Sequence, residues 1–398
     1  MNSFSISDMY ILMIGSKGTL LGAGYNDSGQ LGTLAEETPF LKKIPFTEPL
    51  SQIKTGYKSS FLITRDKKLF ALGLNSHGKL GLGHIRNVHE AYEVKGVNEP
   101  VACVVTGCSH TLVLTNNGKV YGAGNNSYNQ LGLPKTTGES HIFIEIPLST
   151  EKQVRAKLIA GGAYHTIALT TENELYAWGI NYWGHLGLGH AEDIERPTQV
   201  PLESLGGKKI IDVKAGSSFS ALLTETGQVY CCGNLTCKKF QEFKLVKGLN
   251  KVKALAVGDR HILALTHDGK VFAWGKNEYK QISISAGQIV VLPRLIATKA
   301  VAISGLNNSS FILTKENNPL LAQFDSYQLK CLGEKINVFF GNKEIPGLKF
   351  SMIQQAEQVK KPLINWAQFQ KLSIFADISI TKNEDESYLN LHSLHVKK

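Results

Sequence analysis

One phrase, written over and over, decides what this chain can fold into. A short run of apolar and small residues closing on glycine recurs with that glycine at Gly24, Gly73, Gly124, Gly179, Gly233 and Gly275. The spacings are 49, 51, 55, 54 and 42 residues. A seventh, worn copy places Gln323 in the glycine slot and Asp325 two residues on. Nine residues before each glycine from Gly73 on, a second phrase ends in threonine, as in "GCSHTLVLT" to Thr115, "GAYHTIALT" to Thr170 and "GDRHILALT" to Thr266, and the N-terminal "YILMIG" is a truncated version. Between the phrases lie turn residues such as "NNGK", "TENE" and "HDGK". Two apolar runs joined by a short polar link read as a β-hairpin. A further short run, such as "CVVTG" or "DVKAG", precedes each hairpin. Each unit of roughly 50 residues therefore offers about four strands, the size of a propeller blade.

A four-stranded blade cannot cover both of its faces alone. Blades packed face to face around an axis cover one another and leave few exposed edges. The fold class expected is thus all-β, with residues 1–345 forming the blades.

Repetition also settles a competing reading. "GLNSHGKL" (Gly73 to Leu80) nearly spells the phosphate-binding G-x-x-x-x-G-K-[ST]. Leu80 stands where a hydroxyl must hold Mg²⁺, and the Lys79 slot is Gln30, Gln130 and His185 in other copies. The glycines are architecture, not a nucleotide cradle. His110, His165 and His261 share one slot in the turn before a strand, with Phe219 filling it once. Recurrence assigns these imidazoles a structural role, such as bonding backbone in the next blade. The cysteines at 231, 232 and 237 cluster, yet no second pair gives zinc spacing. No metal, cofactor or bond-cleaving centre is expected.

The phrases resemble the RCC1 (regulator of chromosome condensation) repeat. "GAYHTIALTTENELYAWGINYWGHLGLGH" (Gly162 to His190) carries its G-x-x-H-[ST] turn, its W-G-x-N strand end and its G-x-L-G-x-G limb. The resemblance runs over about residues 10 to 345 and implies a seven-bladed β-propeller. "CCGNLTCKKF" and "AWGKNEYKQIS" have lost the last limb, so blades five to seven should be less regular.

Loops on a rigid scaffold are where recognition concentrates. The positions between the Gly and His slots should emerge on one rim. They read Tyr57-Lys58, Cys108-Ser109, Ala163-Tyr164, Ser217-Ser218 and Asp259-Arg260. The candidate partner-binding residues are Asp259, Arg260, Tyr164, Tyr57, Lys58, Ser109 and Ser218. In the founding member of the family, an exchange factor for the small GTPase Ran, this rim faces the GTPase, and acidic and histidine residues there matter. Here only Asp259 is acidic. The expected function is a non-enzymatic scaffold that binds a protein partner; the alternative is guanine-nucleotide exchange on a small GTPase through this rim.

The net charge of +10 permits acidic partners, but the basic residues are scattered and no tract marks a nucleic-acid site. No apolar run approaches the ~18 residues of a membrane span. Six cysteines at irregular spacing form no disulfide framework, which places the chain in a reducing compartment, cytoplasmic or nuclear. Beyond the repeat, Met352, Ala356 and Val359 fall at helical spacing, so 346–372 is expected as a helical linker. "FADISITKNEDESYLNLHSLHVKK" within 373–398 resembles the opening of a BTB domain or caps the propeller. It is too short for BTB-type self-association.

Overall fold

The computed structural model describes residues 4–353 apart from 8–9, 16–17, 35, 237–238, 284, 317–325 and 334–347. Seven four-stranded sheets follow one another along the chain, and each is drawn from a single contiguous stretch. No α-helix occurs among the described residues. In the third blade the strands are Val101–Thr106, His110–Thr115, Val120–Asn125 and Glu139–Ile146, in that order from the axis outward.

The second strand of each blade explains its own sequence. His110–Thr115, His165–Thr170 and His261–Thr266 are buried at all six positions. Successive side chains point to opposite faces of a sheet, and both faces are covered by neighbouring blades. Val113 joins Phe61 and Tyr121 in the core between blades two and three. Its neighbours Leu112 and Leu114 join Tyr176 and Trp178 between blades three and four. The run is therefore continuously apolar rather than alternating.

The terminal threonine of the second phrase closes the hairpin. Thr64, Thr115, Thr170, Thr224 and Thr266 each accept, through Oγ1, the N–H four residues on, at 3.0–3.1 Å. The phrase glycine stands opposite the turn slot: His110 pairs with Gly124, His165 with Gly179 and His261 with Gly275. Gly73 and Gly179 both have φ near +102°. A Cβ on Gly179 would also lie 2.5 Å from the Tyr164 carbonyl oxygen. Both demands select glycine.

The loop after the glycine, which spells the repeated "GHLGLGH"-type limb, is stapled by one asparagine. Asn181 Oδ1 accepts the Leu186 N–H at 3.0 Å, and its Nδ2 donates to the His190 carbonyl at 2.9 Å. Asn26, Asn75, Asn126 and Asn277 bond the N–H five residues on in the same way. All five asparagines are buried. Blade five has Leu235 at this position and lacks the staple.

Blades five and six keep the four-strand order of the others. Blade seven departs from it. Its register sets Ser309 opposite Gly333, so Gly333, not Gln323, occupies the glycine slot. The link between its middle strands, Glu316 to Ser326, is longer than the usual one, so counting from the other copies lands ten residues short; Gln323 and Asp325 themselves lie outside the described residues. Its fourth strand, Leu348–Ile353, pairs in parallel with Ser326–Gly333. That stretch was expected to begin a helical linker. Leu348, Phe350 and Met352 alternate with period two, and here that period overrides the 3.6-residue pattern read through Met352. The remainder of the linker and the BTB-like segment lie outside the described residues.

Candidate functional site

The innermost strands of all seven blades end in turns that surround one central opening. The cavity there has a volume of about 580 Å³. Tyr57, Cys108, Ala163, Ser217 and Asp259, the first members of the five rim pairs, line it, together with Ser109. The other second members turn toward the loops behind. Lys58 donates to the Asp27 carboxylate at 2.5 Å. Tyr164 packs edge-on against Tyr128 at 5.1 Å between ring centres. Arg260 lies 4.0 Å from Glu278, and Ser218 Oγ donates to the Asn234 carbonyl.

The turns are tied to one another through backbone. Cys108 N–H donates to the Ala163 carbonyl at 3.3 Å, Ser217 N–H to Asp259 at 2.7 Å, and Asp259 N–H to Asn307 at 2.8 Å. Each of these bonds crosses from one blade to the next. Blades three and four, and blades five to seven, are thereby tied to one another at the mouth of the channel.

Beneath the turns sits a layer of buried rings. Ser220 Oγ donates to the His185 carbonyl at 2.6 Å, so it accepts from His165 Nε2–H at 3.0 Å. Ser310 repeats the arrangement, donating to the Gln281 carbonyl and accepting from His261 Nε2–H at 2.8 Å. The imidazoles therefore reach a side-chain hydroxyl of the next blade, not its backbone. His110 has no partner at either ring nitrogen. Burial, reinforced by the Lys79 charge, pushes the His110 pKa down to about 4. Burial likewise takes His185 to about 4 and His165 well below its ordinary value. These rings are neutral spacers at neutral pH.

Two residue groups on this face have roles that the sequence reading did not assign. The first is aromatic: Tyr128, Trp183 and Tyr279 share one slot, two residues after the loop asparagine. Tyr57, Tyr128, Tyr182 and Tyr279 are exposed. Lys239 Nζ stands 3.9 Å over the Trp183 ring. The slot was visible in "NNSYNQ", "INYWGH" and "KNEYKQ", but His77 and Ser28 fill it elsewhere. The second is basic. Lys79 is 2% exposed, donates to the Tyr57 carbonyl at 2.8 Å, and burial lowers its pKa to about 8. Lys54 lines the channel itself.

Among the described residues the cysteines form no metal site. Cys231 and Cys232 are buried, and burial pushes both thiols up, while Cys237 lies outside the described residues. No group of three or more His, Cys, Asp or Glu side chains among the described residues converges as metal ligands would. Among the described residues no helix is long and apolar enough to cross a membrane.

The family model described as Regulator of chromosome condensation (RCC1) repeat matches residues 117–169 and 172–223. A second model of the same repeat matches 101–130, 210–237 and 252–281. The chain is 27% identical over 322 residues to the E3 ubiquitin-protein ligase HERC2 of Mus musculus, covering 75% of this chain and 6% of that protein. It is 31% identical over 288 residues to the Secretion-regulating guanine nucleotide exchange factor of Bos taurus, covering 66% of this chain and 61% of that protein. The chain thus spans less than two thirds of the length of either relative. The crystal structure of Prp20p from Saccharomyces cerevisiae superposes with a TM-score of 0.66 at 22% identity, covering 77% of this chain and 80% of that one. Repeat phrases, blade order and these matches agree: the chain carries RCC1 repeats and folds as a seven-bladed RCC1-type β-propeller.

Proposed function

We propose that the propeller is a protein-binding module and that its partner docks on the channel-mouth face without any bond being made or broken. One observation carries the reading. The rim pairs and the loop aromatics share a face, so Tyr57, Tyr128, Tyr164, Tyr182, Trp183 and Tyr279 surround a rigid polar opening. Aromatic anchors set in a fixed frame are the usual carriers of binding energy at protein interfaces. The partner class favoured is a small GTPase. The bovine relative is by its name a guanine nucleotide exchange factor, and Asp259 places a carboxylate at the mouth of the channel.

Affinity capture with a panel of nucleotide-stripped small GTPases tests this reading, followed by release of labelled GDP. Tyr164→Ala and Trp183→Ala should each weaken capture by roughly ten- to a hundredfold, while Glu172→Ala, on a hairpin link at the far end of a blade, leaves it unchanged. Asp259→Ala should slow GDP release if exchange is the activity. Equal capture by the face variants and the Glu172 control would remove the docking face. Capture without accelerated release would leave a scaffold rather than an exchange factor.

A further inference from the structure

The channel carries a charge that no ion pair among the described residues answers. Lys54 sits on the innermost strand of blade two, Leu50–Gly56, and lines the central cavity. No carboxylate among the described residues pairs with it, although twelve ion pairs occur elsewhere in the fold. A second lysine stands in the same layer of the channel. Lys54 is registered opposite Phe61 and Lys214 opposite Ala221, each the third residue of its middle strand. Blades two and five are not neighbours in a ring of seven; Lys54 lines the cavity and Lys214 does not, but its charge bears on Lys54. Lys214 has one counter-ion, Asp212, at 2.8 Å. The other members of the layer include Val105, Ala160, Ala256 and Ser304, none of them charged.

The surroundings favour an anion further. Thr106 and Ser217 line the cavity and offer hydroxyl donors. Lys54 is exposed to the solvent of the opening, yet the surrounding channel wall, with the Lys214 charge, holds its pKa below the ordinary value. A cleft of one sign between low-dielectric walls concentrates counter-charge. Asp259, the carboxylate at the mouth, lies in the turn that follows Val252–Val257, beyond Ala256 of the lysine layer. Asp212 answers Lys214, so the positive charge left over in this layer is that of Lys54.

We propose that the central channel is an oxyanion site, in which Lys54 with Lys214 behind it binds a phosphate or carboxylate group entering from the rim face. The volume, about 580 Å³, exceeds what one inorganic phosphate fills and accommodates an acidic group carried on a slim arm. The site stands apart from the aromatic docking face: it needs no protein partner, and free anions suffice to test it.

Thermal unfolding and calorimetric titration with inorganic phosphate and with citrate, against sodium chloride at matched ionic strength, distinguish site binding from screening. Phosphate or citrate should raise the unfolding temperature of the intact protein beyond the chloride control. Lys54→Met should lower the affinity at least about tenfold, the loss of a charge-assisted contact. Lys54→Arg should retain binding, and Lys253→Met, an exposed lysine at the opposite end of an inner strand, should behave as wild type. Lys54→Gln serves if the methionine variant does not fold. Equal stabilisation by chloride, or undiminished phosphate binding in the Lys54 variants, would overturn the proposal. If citrate binds and phosphate does not, the group accepted is a carboxylate; the reverse selects phosphate.

Discussion

At the scale of single residues, the repeat is a set of steric contracts between blades. Gly179 meets the Tyr164 carbonyl at a distance no Cβ tolerates and holds a φ near +102° as well. Gly179→Val and Gly73→Val should each cost roughly 2–4 kcal/mol through backbone strain, read as a lowered urea midpoint with an unchanged slope. The turn histidines differ among themselves. His165 donates to Ser220, whereas His110 donates to nothing, and blade five puts Phe219 in the same slot. His110→Phe should therefore be neutral or stabilising. His165→Phe should cost about 0.5–1.5 kcal/mol, since it removes the hydrogen bond that Ser220 accepts while that hydroxyl keeps its own donation to the His185 carbonyl. A pH dependence accompanies this. Above pH 6.5 the His110 ring is neutral in both folded and unfolded chains and contributes no slope. Between pH 6.5 and about 4 only the unfolded chain takes up the proton, so stability falls as pH falls, then levels off below. A 2.5-unit depression corresponds to about 3 kcal/mol for that ring. Unfolding free energies measured at pH 7, 5.5 and 4.5 should show the slope in the wild type and a shallower one in His110→Phe.

At the scale of elements, hairpins and loops obey different rules, and they were not equally legible. The hairpins could be read because each copy repeats the same apolar run, closing threonine and glycine. The loop staple was also in the text, since the asparagine recurs, but its task was not evident until Asn181 was seen bonding both Leu186 and His190. Asn181→Ala should leave the buried Leu186 N–H without its partner and free a half-buried carbonyl, at a cost of roughly 1–3 kcal/mol. Leu235 holds the equivalent place in blade five, so Leu235→Ala should disturb packing alone. Protection of the Leu186 amide against hydrogen exchange, lost in the Asn181 variant, is the measurement. What resisted reading was whatever does not repeat. Lys54 is Val105, Ala160 and Ser304 in other blades. A search for recurring residues passes over it for that reason. The long link in blade seven hid Gly333 in the same way. Its parallel last strand was masked by a methionine that suits both a helical and a strand period.

At the scale of the whole molecule, every sheet among the described residues is cut from one stretch of chain, with no strand taken from the other terminus. The cores lie between consecutive blades, from the Tyr10 and Leu62 cluster of blades one and two to the Leu263 and Ile312 cluster of blades six and seven. Such an array is close to one-dimensional in its energetics, each unit leaning on its neighbours. Pulling on the two ends would then not break the ring by shearing a shared sheet. It would turn back one blade at a time, like pages lifted from either cover. Optical tweezers should record a series of discrete length gains, each near roughly 170 Å for a unit of about 50 residues drawn straight. A single rupture releasing the whole length at once would mean that the blades share load all round the circle.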